Sequence, residues 1–390
     1  MKPHSFLVCA FAGLSLSSPG QNPTNSASLS SGVKLNPKYS KAAAIQAVMD
    51  RYTQKDLPGI AIAVYTEAEG WWSGASGFAR TENKETMTIE HLQYLQSVSK
   101  TYMAVAALKL AEEGKLDLDA PISKYLPKKF VDLLKNADKI KVRMLMNHTS
   151  GIPEYTSDPE YTAKVILNPT KILKLEDEMN CLKNEEPQFE PGTKYRYTNT
   201  NYYLLTVIGD VITGDHAKYI GQVIFQSLSL NNTFYHHSKG YLEYPLLPDS
   251  YWDILGIGRP ANITEMQIAN VASMSGDDGM VATPIDAIKF LKGLMEGKLI
   301  KESSMGQMQE WVKNESGRPV YGLGLIRFEE GGVIGFGHGG GGLGAGCLLL
   351  TVPAARMYVF LATNIGVVID GPVGAKVNSM KDEILLTLLQ

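Results

Sequence analysis

Short apolar runs punctuated by Gly and Pro occur near both ends of this chain while helical stretches fill its middle, an order that few architectures satisfy. Residues 59–65 and 71–78 are apolar and aromatic runs of strand length, and the connection at 67–70 is tight enough to join them as a hairpin. From Tyr321 onward such runs return at 322–328, 347–352 and 357–363, divided by Gly or Pro, before a last helical stretch to Leu388. Strands at both ends with helices between predict one sheet built from the two termini, with a helical lobe inserted between its halves. The expected fold class is therefore α+β. Its sheet lobe covers about 35–115 and 276–390, and its all-helical lobe about 116–275. No internal repeat is present.

Helix signals support that division. Asn36 before Pro37 reads as a start, with a cap for free N–H groups and a ring suited to the first turn, continued by 42–52. Residues 97–113 allow a mostly buried helix that Gly114 ends. Residues 201–212 are helical, and Thr283-Pro284 with Asp286 opens another helix through Glu296. With 390 residues, 44% of them hydrophobic and 20% charged, the chain can bury a core of enzyme size.

The start of the sequence has a different character. Lys2, an apolar run at 6–16 and the small residues Ser15, Ser17 and Ser18 have the layout of a secretory signal over 1–18, followed by a flexible spacer at 19–34. The run is too short to span a bilayer, so an exported, periplasmic or extracellular protein with no transmembrane segment is expected. Cys9 lies too early in the run for a lipid-anchoring cysteine. A net charge of -3 without long basic runs argues against a nucleic-acid partner or a polybasic membrane patch. After cleavage only Cys181 and Cys347 remain, far apart, which speaks against a disulfide framework or a cysteine zinc site. His236 and His237 are adjacent and point apart, and no H-E-x-x-H occurs, so no metal is expected.

Three motifs carry chemistry. Ser97-Val98-Ser99-Lys100 leads into the helix at 97–113, where positions three apart share a face, so Lys100 can direct its amine to the Ser97 hydroxyl. A serine needs a base to become nucleophilic, which a desolvated neutral lysine can supply, and the helix N-terminus favours developing negative charge. Ser31-Gly32-Val33-Lys34 has the same spacing but lies in the spacer, with no buried helix to hold it. Tyr197-Thr198-Asn199 offers a phenol to share protons and an amide to hydrogen-bond. With 19 Tyr, about one such triplet is expected by chance; the Pro191-Gly192 turn before it and the helix after it single this one out.

His338-Gly339-Gly340-Gly341 lies in the run 335–346, where glycines let a substrate approach the backbone and a strand-edge N–H can serve an oxyanion. A plain flexible loop is the competing reading. Gly335-x-Gly337-x-x-Gly340 matches a dinucleotide loop, yet a strand rather than a helix follows and no acidic residue lies about 20 positions on, so no cofactor is expected. The chain has no G-x-S-x-G elbow. His148 is tempting as a triad base but is read as shaping a turn, its ring hydrogen-bonded locally.

These motifs, in this order, resemble the penicillin-recognising serine hydrolases. The similarity is to the branch of class C β-lactamases, D-alanyl-D-alanine carboxypeptidases, D-aminopeptidases and related esterases. Residues 145–152, 189–192, 278–284 and 361–364 extend it over about 58–364. The resemblance implies a β-lactamase/transpeptidase-like fold: an antiparallel sheet flanked by helices beside an all-helical lobe, with the site in the cleft between them. It also implies an acyl-enzyme in which Ser97 attacks and Lys100 with Tyr197 moves the protons. Asn199, His338, Gly340 and Gly341 would bind substrate, and the N–H groups of Ser97 and Gly341 would form the oxyanion hole.

One departure bears on substrate. Class C β-lactamases carry Lys where this chain has His338, whereas His-x-Gly is similar to the peptidases and esterases, which speaks against efficient antibiotic hydrolysis. The expected activity is hydrolysis of D-amino-acid peptides or amides in the manner of a D-alanyl-D-alanine carboxypeptidase. A carboxylesterase, a weak β-lactamase, or a non-catalytic penicillin- or peptidoglycan-binding protein are the alternatives. The partners implied are a small peptide, amide or ester substrate, with peptidoglycan as a further candidate.

Overall fold

The computed structural model describes residues 32–235, 244, 246–368 and 371–390. The expected signal at 1–18, the spacer up to residue 31, and His236 with His237 lie outside the described residues. The central sheet consists of β1 (Gly59–Thr66), β2 (Gly70–Arg80), β3 (Glu85–Thr86), β4 (Val312–Lys313), β5 (Pro319–Tyr321), β6 (Ile326–Glu330), β7 (Val333–Gly341), β8 (Gly346–Val352) and β9 (Met357–Thr363). All pairings are antiparallel, in the spatial order β3-β2-β1-β9-β8-β7-β6-β5-β4. The two sequence halves therefore meet at β1 and β9, with Ile60 opposite Thr363 and Thr66 opposite Met357. Five helices cover this sheet or border the site: α1 (Ala42–Thr53), α2 (Ser99–Glu112), α3 (Asn199–Thr213), α4 (Pro284–Met295) and α5 (Pro372–Leu389).

Side chains alternate between the two faces of a strand, and the apolar residues here sort accordingly. Ile60, Ile62, Val64, Leu348, Leu350, Val359 and Leu361 turn to one face, where they meet Ile45 and Met49 of α1 and Val377, Met380 and Ile384 of α5. Ala63, Leu349 and Phe360 turn to the other face and join a core that continues through α4 and α2 to Leu204 and Leu205 of α3. Both faces are covered, so β8 is buried along its whole length and reads in sequence as a near-continuous apolar run, broken only by Thr351.

Helix α2 sits at the junction of sheet and lobe. It is buried from Ser99 to Leu108, as suits a helix with no polar stripe, and Tyr102 stacks on Phe290 of α4 at 3.4 Å between ring centroids. Gly114, at φ +71°, ends it as expected. Thr283 caps α4 through Asp286 N, also as read.

Three local expectations fail. The segment 116–275 is not all-helical, since Thr233–Tyr235, Tyr251–Trp252 and Ala261–Asn262 are short strands within it. Asn36 and Pro37 do not start a helix: Asn36 Oδ1 accepts from Lys38 N in a turn, and α1 begins at Ala42. The stretch 322–328 is broken, since Gly322 and Leu325 close a turn between β5 and β6. Among the described residues no helix is long and apolar enough to cross a membrane.

Candidate active site

Ser97 lies in a single 3₁₀ turn, Gln96–Val98, that leads into α2. The turn is tied down from several sides. Leu95 N donates to Met280 O, Val98 N to Leu95 O, and the Cys347 thiol of β8 donates to Leu95 O at 3.1 Å. Gln96 has φ +48°, a conformation that is costly for a residue with a Cβ and that persists only where its surroundings hold it. Ser97 is partly exposed between buried Gln96 and Val98, so the turn presents a single hydroxyl.

One turn further, Lys100 is fully buried. Its Nζ lies 3.1 Å from Ser97 Oγ, 2.8 Å from Asn199 Oδ1 and 2.7 Å from Asp277 O. The carbonyl of Asp277 and the amide oxygen of Asn199 can only accept, so they fix two N–H directions of the amine and leave the third aimed at Ser97. In the neutral amine that third direction is the lone pair.

Tyr197 precedes α3, with Lys100 Nζ 5.1 Å from its ring centroid. Its hydroxyl is buried beside Lys100 and Ser97 without a hydrogen bond of good geometry to either. Burial raises this phenol above its ordinary range, while Lys100 and Ser97 pull it back. It therefore holds its proton at neutral pH. The structure thus brings Ser97, Lys100, Tyr197 and Asn199 together from positions far apart in sequence.

The glycine run is a strand, not a loop. β7 extends past the end of β6, whose last partner is Gly337, so residues 338–341 pair only with β8 and leave one edge open. Gly340 touches the turn that carries Ser97: a Cβ there would lie 2.6 Å from Leu95 O and 2.6 Å from Cys347 Sγ. Its small size thus serves packing of the turn on the strand, a different role from the substrate contact expected of it. Gly341 lies exposed at the strand end.

His338 also differs from expectation. Its ring is buried, Nδ1 donates to Gly339 O at 2.6 Å, and Nε2 accepts from the Tyr321 hydroxyl at 2.9 Å. Burial and then the charge of Lys100 push its pKa down to about 3. His338 is neutral, with both ring nitrogens engaged, and offers no charge to an anionic substrate.

Sequence reasoning missed Asp277 and Glu154. Asp277 acts on Lys100 through its carbonyl, while its buried carboxyl accepts from Tyr155 Oη and is pushed up to about 6, chiefly by burial. Asp278, also buried, is pushed up to about 7 for the same leading reason. Glu154 Oε2 accepts from Asn199 N at 2.5 Å and so caps α3 from a separate segment. A backbone acceptor and a cap supplied from 45 positions away leave no local pattern to read. Among the described residues no cluster of His, Cys, Asp or Glu could hold a metal ion.

A family model described as Beta-lactamase matches residues 42–370. A D-stereospecific amidohydrolase from a Streptomyces species superposes with a TM-score of 0.75 at 26% identity, over 86% of this chain and 97% of that one. The D-amino acid amidase of Ochrobactrum anthropi SV3, solved with L-phenylalanine amide, gives 0.77 at 24% identity over 90% and 99%, a likeness of fold. Protein flp of Staphylococcus aureus is 27% identical over 192 residues, 48% of this chain, and the chain spans only 37% of that relative's length.

Proposed function

This chain belongs to the β-lactamase family of serine hydrolases, and we propose that it cleaves amides of D-configured amino acids through an acyl-enzyme at Ser97. The observation that carries the reading is the 3.1 Å approach of Lys100 Nζ to Ser97 Oγ, with two acceptor-only partners holding the amine in that direction.

In the proposed reaction the amine of Lys100 takes the hydroxyl proton as Ser97 Oγ bonds to the substrate carbonyl carbon. The carbonyl oxygen gains the negative charge and sits against the N–H groups of Ser97 and Gly341, donors of a kind worth about 2.7–4 kcal/mol each in a dry site. Collapse breaks the C–N bond, and the departing amine receives a proton through the Tyr197 hydroxyl, which Lys100 replenishes. Water then repeats the sequence on the ester of Ser97, releasing the acid. Asn199 holds Lys100 and faces the same space.

The amide is preferred to a carboxylate-terminated peptide because His338 is neutral and internally bonded. A D-alanyl-D-alanine carboxypeptidase substrate brings a carboxylate that needs a counter-charge, and an amide does not. The name of the Streptomyces relative supports the same substrate class. Esters share the acylation step and lose a better leaving group, so short esters are expected to turn over as well.

The test is a panel of D- and L-phenylalanine amides, a D-Ala-D-Ala peptide and a nitrophenyl ester, with Ser97→Ala as control. Expected are preference for the D-amide, little turnover of the peptide, none by Ser97→Ala, and a single fluorophosphonate adduct on the wild type. Unchanged turnover in Ser97→Ala would remove the acyl-enzyme; preference for the carboxylate peptide would remove the argument from His338.

A further inference from the structure

His148 is fully buried yet contributes to no step above. It follows the short helix Val142–Met146 in the left-handed region, at φ +60°, a conformation uncommon for a residue with a Cβ. In that conformation both its main chain and its ring reach the same distant segment. Its carbonyl accepts from Arg196 N at 3.0 Å, and its Nδ1 accepts from Thr198 N at 3.3 Å with Asn201 Nδ2 at 3.2 Å. Those two backbone donors flank Tyr197 on either side. The His148 and Tyr197 rings stand 4.3 Å apart, and Tyr202 and Tyr321 complete the enclosure.

From these contacts we infer that His148 is the positioning residue that sets the place of the Tyr197 hydroxyl, acting by bracketing Tyr197 between two backbone hydrogen bonds. A backbone N–H can only donate, so Nδ1 must carry a lone pair and the proton resides on Nε2. Among the described residues Nε2 has no hydrogen-bond partner, and burial, followed by the charge of Lys100, holds the ring in its neutral form. The same contacts exclude His148 as a base for Ser97, since its only lone pair is already occupied. The local hydrogen bond expected from sequence is thus a long-range one, about 50 positions away.

This inference rests on the proton-carrying role proposed for Tyr197, and the experiment separates the two. His148→Phe keeps ring volume but removes the acceptor; His148→Asn restores an acceptor near the Nδ1 position and tolerates the left-handed backbone. The loss expected in His148→Phe is about 100-fold in kcat, the lower end of what a positioned proton carrier contributes, with KM little changed. His148→Asn should recover most of it. In a double-mutant cycle, His148→Phe should cost little further in a Tyr197→Phe background.

Full kcat in His148→Phe, or an equal loss in both His148 variants, would overturn the inference, as would losses that multiply independently with Tyr197→Phe. If instead Tyr197→Phe alone is fully active while Ser97→Ala is dead, it is the role of Tyr197 that fails. Should His148→Phe not fold, His148→Ala, which also lacks the acceptor, takes its place in the same cycle, and full kcat or a loss independent of Tyr197→Phe overturns the inference.

Discussion

Three consecutive glycines on β7 should respond differently to the same added methyl, because each faces different neighbours. A Cβ at Gly340 would stand 2.6 Å from Leu95 O, 2.6 Å from Cys347 Sγ and 2.8 Å from Gln96 Cβ. Packed atoms prefer roughly 3.5 Å or more, so these contacts are short by roughly 0.7–0.9 Å. Leu95 O is backbone, and Leu95 N is bonded to Met280 O, so relief has to come from parting β7 and the turn that carries Ser97. Overpacking of this kind costs about 1–3 kcal/mol. A nucleophile displaced by close to 1 Å loses on the order of 100-fold in rate.

Gly340→Ala is therefore expected to lower both the unfolding midpoint and the rate at which Ser97 is labelled by a fluorophosphonate. Gly341→Ala meets only Val367 Cγ2 at 3.1 Å, a side-chain tip that can shift, and Gly339→Ala meets only Cys347 O at 3.9 Å. Neither should change the urea midpoint appreciably. Labelling and midpoint in Gly340→Ala that match those of Gly339→Ala would refute the argument that the turn and β7 are in contact through this residue.

Two further substitutions test the surroundings of Lys100. Asp278 has its carboxyl raised from 3.8 to about 7, so the folded state holds the proton more tightly. Its stabilising contribution is complete below about pH 3.8 and is lost as pH rises through about 7, with about 4 kcal/mol as a ceiling. Relative to Asp278→Asn, the wild type should thus lose stability progressively between about pH 4 and about pH 7, and a difference in urea midpoints that is flat with pH would contradict this. Glu154→Ala removes the acceptor for Asn199 N and should cost about 1 kcal/mol of stability, as loss of a helix cap does. Slower labelling of Ser97 should accompany it, and calorimetry with labelling kinetics reads both.

The division of the chain was legible because burial imposes period and punctuation. β8 and β9 are mostly apolar since helices cover both faces, and Gly114 and Thr283 mark their helix boundaries by local backbone chemistry alone. The meeting of Ser97 with Lys100 follows from helix spacing, which is also local. Other features depend on contacts across the fold. The strand character of β7 was obscured by glycines whose smallness answers to Leu95 and Gln96, over 240 positions away. His338 looked like a substrate contact because nothing near it in sequence announces Tyr321 as its hydrogen-bond partner. Asn36 and Pro37 carry every sign of a helix start, but the Asn side chain closed its own turn first. The capping of α3 by Glu154 and the hold of Asp277 on Lys100 use single atoms brought by distant segments.

The seam between β1 and β9 pairs residues roughly 300 positions apart, and this has a bearing on how the protein is made. As the polypeptide emerges during vectorial synthesis, Ser97 and Lys100 appear early, but β7 and β8, which wall in their turn, appear only near the end. Closure of so distant a pairing is slow, and the incomplete sheet offers bare edges in the meantime. A nascent chain halted before residue 333 would carry Ser97 and Lys100 without their wall, so the surroundings that hold this pair in place arrive only once the last strands have been added.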